Sequence, residues 1–250
     1  MDQGLLNVIL VGSAFMILFS AFQSTGMVEQ SVLEGVKNET TGNGTARFTA
    51  TGYTSFAIIY SSFTVVNIVS PAIVSILGPS LSMFIGASTY FFYVLSFIQP
   101  MTWSFYLASV LIGVGAAILW TAFGVYLAVN SDELSTLRNS GVFWALFQLR
   151  KVQLPGNLYI YLVLKSDIIN RHTRYLLFTV FSVVCGIGLL VFILLIWRSF
   201  VEKRLLLNSE KEKKKKKIIF QDIKQELLIA LKLLKTPNML LLLIPFAYSG

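Results

Sequence analysis

In a chain that is 55% hydrophobic and only 13% charged, few residues could do chemistry. Gln23 and Ser24 stand late in the first apolar run. Ser61, Ser62, Thr64 and Asn67 stand in the second, and Gln148 and Asn157 in the fifth. Each costs free energy to carry into hydrocarbon, so each serves either hydrogen bonding between helices or contact with a solute. Gln23, Asn67 and Gln148 are the candidate substrate-path residues. No Asp, Glu or His falls in the middle of a run. Glu29 ends the first run, and Asp132 and Glu133 lie in the loop after the fourth. Proton-coupled transport usually needs an intramembrane Asp, Glu or His, so coupling would reside elsewhere in the protein or be absent. Arg138, close to Asp132 and Glu133, completes a candidate cytosolic gate; the alternative is ordinary loop charge that fixes topology. His172 and Cys185 are the only residues of their kinds, which leaves no His/Cys metal cluster and no internal disulfide. No hydrolase, phosphate-loop or metal-site spacing is present, so neither catalytic residues nor a cofactor are expected.

The elements that must carry these residues are long. A mean hydropathy of +0.72 over 250 residues exceeds what one soluble core can hide. Apolar runs extend over Leu5–Val28, Tyr53–Leu77, Leu81–Ile98, Trp103–Val129, Gly141–Leu164 (interrupted) and Tyr175–Trp197. They reach the about 20 residues that a bilayer requires and lack the alternation of a barrel strand. The spacing predicts six membrane helices over residues 1–200, a cytosolic segment over 201–237, and a seventh helix begun at 238–250. A Gly/Thr-rich loop is expected from Glu29 to Gly52, and a tight turn at Gly78-Pro79-Ser80. Span four carries Ser109, Gly113, Ala117 and Thr121 at intervals of four, a face of small side chains suited to close helix packing. Trp103 and Trp197 fall where headgroup anchors belong. The chain opens without a basic segment before its first run, which is read as a helix and not as a cleaved signal.

Two features orient the chain. Asn38-Glu39-Thr40 and Asn43-Gly44-Thr45 are glycosylation sequons in the first long loop, and place it outside. Between Arg198 and Lys235 stand 12 of the 20 Lys and Arg residues. The positive-inside rule makes that segment cytosolic. An even number of spans then puts the N-terminus in the cytosol too. Lys165, Arg171 and Arg174 run against this pattern without reversing it. The concentration of basic charge beside a membrane argues against nucleic acid as partner. Lys213–Lys217 is read as a topology determinant, or as a contact with anionic lipid headgroups. Beyond it, Ile219, Ile223, Leu227, Leu231 and Leu234 recur at helical spacing, predicting an amphipathic helix on the inner membrane face.

The residues also carry a family likeness. Ala21-Phe22-Gln23, Gly52-Tyr53-Thr54-Ser55 leading to Ala57-Ile58-Ile59-Tyr60, Gly78-Pro79 and Leu119-Trp120-Thr121-Ala122 occur in order on successive spans. So do Asn130-Ser131-Asp132-Glu133 and Arg138-Asn139-Ser140-Gly141-Val142-Phe143-Trp144-Ala145-Leu146. This pattern resembles the uncoordinated-93-like family of the major facilitator superfamily, in its domain-containing protein eleven subgroup. The resemblance implies an all-α membrane protein, with residues 1–200 as the six-helix N-terminal half of a twelve-helix fold. It also implies N-glycosylation, at Asn38 and Asn43. The family's founding member is associated with potassium-channel regulation, and other members are treated as orphan carriers.

The chain departs from the family where Gln148-Leu149-Arg150-Lys151-Val152-Gln153-Leu154-Pro155 replaces an uncharged helix. Two cations in hydrocarbon would cost about 2.5–3.5 kcal/mol each, and Pro155 would break the backbone ladder. A splicing or gene-prediction change in span five would account for this. The basic–acidic signature of ordinary major facilitators is also missing between spans two and three. Two functions follow as expectations. The first is a solute transporter that alternates access between two halves when full length. The second is a non-transporting regulatory subunit of an ion channel or another membrane protein. A polar-lined cavity would favour the first, and a solid helix interface with an exposed small-residue face the second.

Overall fold

The computed structural model describes residues 3–42, 48–149 and 169–206, and every regular element among them is an α-helix. They are α1 (Gln3–Gly42), α2 (Gly52–Asn67), α3 (Ser70–Leu77), α4 (Pro79–Ser96), α5 (Thr102–Val129), α6 (Thr136–Gln148) and α7 (Arg171–Leu206). The chain is an all-α membrane protein. Among the described residues, α1, α5 and α7 are long and apolar enough to cross a bilayer, and the bent pair α2–α3 makes a fourth span if counted as one. Asn43, the Arg150–Pro155 stretch, Asn157, Lys213–Lys217, the amphipathic stripe and residues 238–250 lie outside the described residues.

α1 departs from expectation. The apolar run stops at Val28, yet the helix continues to Gly42, 40 residues in all and about 60 Å at 1.5 Å per residue. The reason is periodicity. Val28, Val32, Leu33 and Val36 form a stripe that is fully buried, while Gln30, Glu34 and Asn38 recur every fourth residue on the exposed side. Half of the expected loop is therefore helix, and Glu29 lies inside it.

The second run also differs. It bends by 67° between α2 and α3. Pro71 has no N–H to give the Asn67 carbonyl, and its ring would collide with that carbonyl in a straight helix. The Ser70 hydroxyl fills the gap, donating to Asn67 O at 3.0 Å, and also meets Thr121 Oγ1 at 2.8 Å. Gly78 then turns the chain into α4 with φ at 81°, a left-handed value that requires glycine, as the expected tight turn supposed.

α5 is the central helix, with α2 and α3 on one side and α4 on the other. The small-residue stripe makes this possible. Ser109 hydrogen-bonds Ser55 of α2, Thr121 meets Ser70 of α3, and a Cβ added at Gly113 would stand 2.5 Å from the Ile59 carbonyl. The other side works alike, since a Cβ at Gly86 of α4 would lie 2.6 Å from the Gly115 carbonyl. α7 packs against α1 and α4, and α6 against α1. Phe15 is the hub of the core, its ring within 5.3 to 5.8 Å of Trp120, Phe123, Phe143 and Phe192.

Candidate functional site

The continuation of α1 past Val28 brings a carboxylate into the bundle. Glu29 is 1% exposed. Its Oε2 accepts a hydrogen bond from Tyr93 Oη of α4 at 3.2 Å. Tyr93 Oη in turn lies 3.2 Å from Ser55 Oγ of α2, which lies 2.9 Å from Ser109 Oγ of α5. Four helices thus meet in one buried polar chain, ended by Ser109 donating to the Phe105 carbonyl at 2.9 Å. Glu29 Oε1 is buried and has no hydrogen-bond partner. The start of α2 faces it: a Cβ on Gly52 would come within 3.1 Å of that oxygen. The positive end of the α2 macrodipole therefore offsets part of the carboxylate charge without delivering a hydrogen bond to Oε1.

Glu29 borders an open cavity of about 520 Å³. α1 supplies Phe19, Phe22, Gln23, Gly26 and Met27 to its wall, and α2 supplies Phe56. The rest of the wall is built from Tyr93, Trp120, Trp144 and Phe147. Volume and aromatic wall match a small-molecule site, with Gln23 and Glu29 as its convergent polar groups.

The candidate substrate-path residues separate. Gln23 lines this cavity. Asn67 does not: it is exposed at the α2–α3 bend, where its carbonyl and Oδ1 accept from Ser70. Gln148, at the end of α6, is exposed and outside the lining. Glu29 was absent from the candidates because the apolar run ends one residue before it. The stripe from Val28 to Val36 was the signal that would have placed it on a buried face.

At the opposite end of α1, Asn7 Nδ2 donates to Asn130 Oδ1 at 2.7 Å, and Asn139 Nδ2 donates to Ser131 Oγ at 2.9 Å and Asn130 O at 3.3 Å. These contacts tie the ends of α1, α5 and α6. Arg138 Nε joins them by donating to Asn139 Oδ1 at 3.3 Å. Asp132 performs local work, its Oδ1 accepting from Ser135 N at 2.7 Å while its own N–H donates to Ser135 Oγ at 2.9 Å. This reciprocal pair starts α6 and holds the Asp132 carboxyl below the usual carboxylate range, first through the Ser135 hydroxyl and then its N–H. Glu133 is exposed in the same turn.

Comparison with known proteins bears on what such a bundle belongs to. A family profile described as "Ion channel regulatory protein UNC-93" matches residues 46–250. The chain belongs to the UNC-93 family. It is 45% identical over 195 residues to UNC93-like protein MFSD11 of Xenopus laevis, covering 78% of this chain and 42% of that protein. The same relative from Xenopus tropicalis is 44% identical over the same shares. UNC93-like protein 3 of Arabidopsis thaliana is 24% identical over 200 residues, 75% of this chain and 39% of that protein. This UNC-93 chain therefore spans less than half the length of the curated relatives it matches.

Proposed function

We propose that the full-length protein is a solute transporter working by alternating access, and that this bundle supplies one wall of its central cavity. The observation that carries this reading is the cavity of about 520 Å³ lined by Gln23 and Glu29 together with aromatic rings. A bundle with a purely structural role has no need to bury a carboxylate oxygen without a partner. The match to about 42% of each Xenopus relative suits one half of a two-half carrier. In this reading the N-terminus and the Asn130–Asn139 end are cytosolic. Asn38 and the α1 extension are then on the outer side, where N-glycosylation takes place, and the Lys213–Lys217 run lies against anionic headgroups. No enzymatic step is involved. Reconstituting the full-length protein in liposomes and screening solute uptake tests the reading. Uptake that falls at least about tenfold in Gln23→Ala supports it. Uptake of no solute under either polarity of ion gradient sinks it.

The matched family description, with its ion-channel regulation, favours a second reading: a regulatory subunit that binds another membrane protein. Its support in this chain is the exposed apolar surface of α2 and its C-terminal cap, where Tyr53, Tyr60, Val65 and Ile68 are all more than half exposed. Cross-linking from that face in native membranes separates the two, since a carrier's α2 yields lipid adducts and a subunit's α2 yields one defined protein partner.

A further inference from the structure

We propose that the Glu29 cavity takes a monovalent organic cation with an aromatic or branched apolar body, a protonated amine in the simplest case. This inference deepens the transporter reading and rests on it for the ligand's role as substrate.

Three observations converge on the charge and shape of the ligand. Glu29 lines the cavity, and its Oε1 is buried with no hydrogen-bond donor. An N–H from a ligand ammonium is the group that would complete it, and a charge-assisted bond is the strongest kind available there. The second observation is what else lines the space. Among the described lining residues there is no Lys, Arg or His, so no side chain competes with a ligand for the carboxylate. An anion would be repelled, and a neutral solute would leave the carboxylate charge only partly offset, by the start of α2. The third is the wall itself. Trp120 and Trp144 stack at 6.4 Å with 19° between their planes, and Phe147 stands edge-on to both at about 5.5 Å. Ring faces attract cations, Trp the most, and the rings also take up the apolar body. A metal ion is a poorer occupant, because no group of three or more His, Cys, Asp or Glu forms among the described residues.

The polar chain behind Glu29 sets the carboxylate's direction. Tyr93 holds Oε2, backed by Ser55 and Ser109, so Oε1 is the oxygen left for the ligand. Tyr93 is in this sense a positioning residue, and Glu29 the contact.

The test uses the full-length protein purified in detergent, with phenethylammonium as probe and the isosteric neutral alcohol 2-phenylethanol as control, read by calorimetry. The amine should bind at least about tenfold tighter than the alcohol, and Glu29→Gln should erase that difference. Detergent partitioning of the probe is the same for both proteins and cannot produce the effect. Gly26→Leu provides an independent variant, since Gly26 lines the cavity and a Cβ there meets nothing within 4 Å, which leaves the added side chain room to fill the space. It should lose amine binding while keeping the unfolding temperature of the parent. Equal affinity for amine and alcohol, or wild-type amine binding in Glu29→Gln or in Gly26→Leu, overturns the inference. Parallel uptake assays separate it from the reading beneath it. Amine binding without uptake keeps the cation site and defeats transport. Uptake of another solute without amine binding keeps transport and defeats the cation.

Discussion

The guanidinium of Arg174, near the start of α7, grips the carboxylate of Glu39, near the end of α1, through hydrogen bonds of 3.1 and 3.2 Å. Arg174 is 6% exposed at its side chain and Glu39 32%. In the sequence Arg174 counted as an outer-side charge that weakened the positive-inside pattern. In the fold its charge is neutralised by the helical extension of α1.

That asymmetry of burial gives the first prediction. Glu39→Ala strands a buried guanidinium and should cost about 1–3 kcal/mol. Arg174→Leu leaves only a partly exposed carboxylate behind, which water can solvate. In a double-mutant cycle read by thermal unfolding, the pair should therefore lose less than the sum of the two single changes. Additive losses would mean that the contact contributes nothing.

How far the sequence revealed this molecule depends on whether the deciding interactions were local. The α5 stripe of Ser109, Gly113, Ala117 and Thr121 was legible because its spacing alone defines a face, and that face does pack on α2 and α3. The turn at Gly78 was legible because glycine before proline leaves few options. Glu29 was not legible, since its environment comes from Tyr93 and Gly52, distant in sequence and brought close only by the packing of α4 and α2 on the rest. The place of Asn67 was not legible for a related reason. Its polarity suggested a solute path, while Pro71 four residues later made it part of a bend. The cavity depends on aromatic residues from five helices, which no single run displays.

Two glycines of the same helix should respond oppositely to alanine. At Gly113 the new Cβ would stand 2.5 Å from the Ile59 carbonyl, a backbone atom that cannot step aside cheaply. Gly113→Ala should lower stability by about 1–3 kcal/mol. At Gly124 nothing lies within 4 Å. Gly124→Ala should be neutral or stabilise by about 0.5–1 kcal/mol through the helix backbone alone. Thermal unfolding of the two variants under one condition checks this, and an equal response at both sites would refute the close approach of α2 to α5.

Asp132 is expected to act as a cap before it acts as a gate. Its carboxyl is held below the usual range in the folded chain by Ser135, so its contribution is present above the ordinary carboxylate range. That contribution is lost as pH falls through the lowered folded-state value. Asp132→Ala should speed hydrogen exchange at the Ser135 and Thr136 amides at neutral pH, and Asp132→Asn should do so less. In wild type, protection there, taken as the intrinsic exchange rate at each pH over the observed one, should fall on acidification, a dependence that Asp132→Ala removes. If the amides of α6 are indifferent to both changes, the reciprocal pair with Ser135 does not hold the helix start.

The two sequons should be used unequally. Asn38 is exposed, but it lies in the last turns of α1, where residues two apart point to nearly opposite sides. Its partner Thr40 turns its hydroxyl inward, donating to the Val36 carbonyl at 3.0 Å and accepting from Phe48 N at 3.2 Å. An enzyme that must engage the Asn amide and the Thr hydroxyl together cannot do so on this helix. Modification of Asn38 therefore requires that the end of α1 be unfolded when the enzyme meets it. We predict that Asn43→Gln removes most of the mass shift seen on enzymatic deglycosylation, while Asn38→Gln removes little. Loosening the helix end with Val36→Gly, which deletes a buried contact and lowers helix propensity, should raise occupancy at Asn38. Gel mobility of the three variants before and after glycan removal reads the result. Full occupancy of Asn38 in the parent protein would show that the sequon is used before α1 extends past Val28.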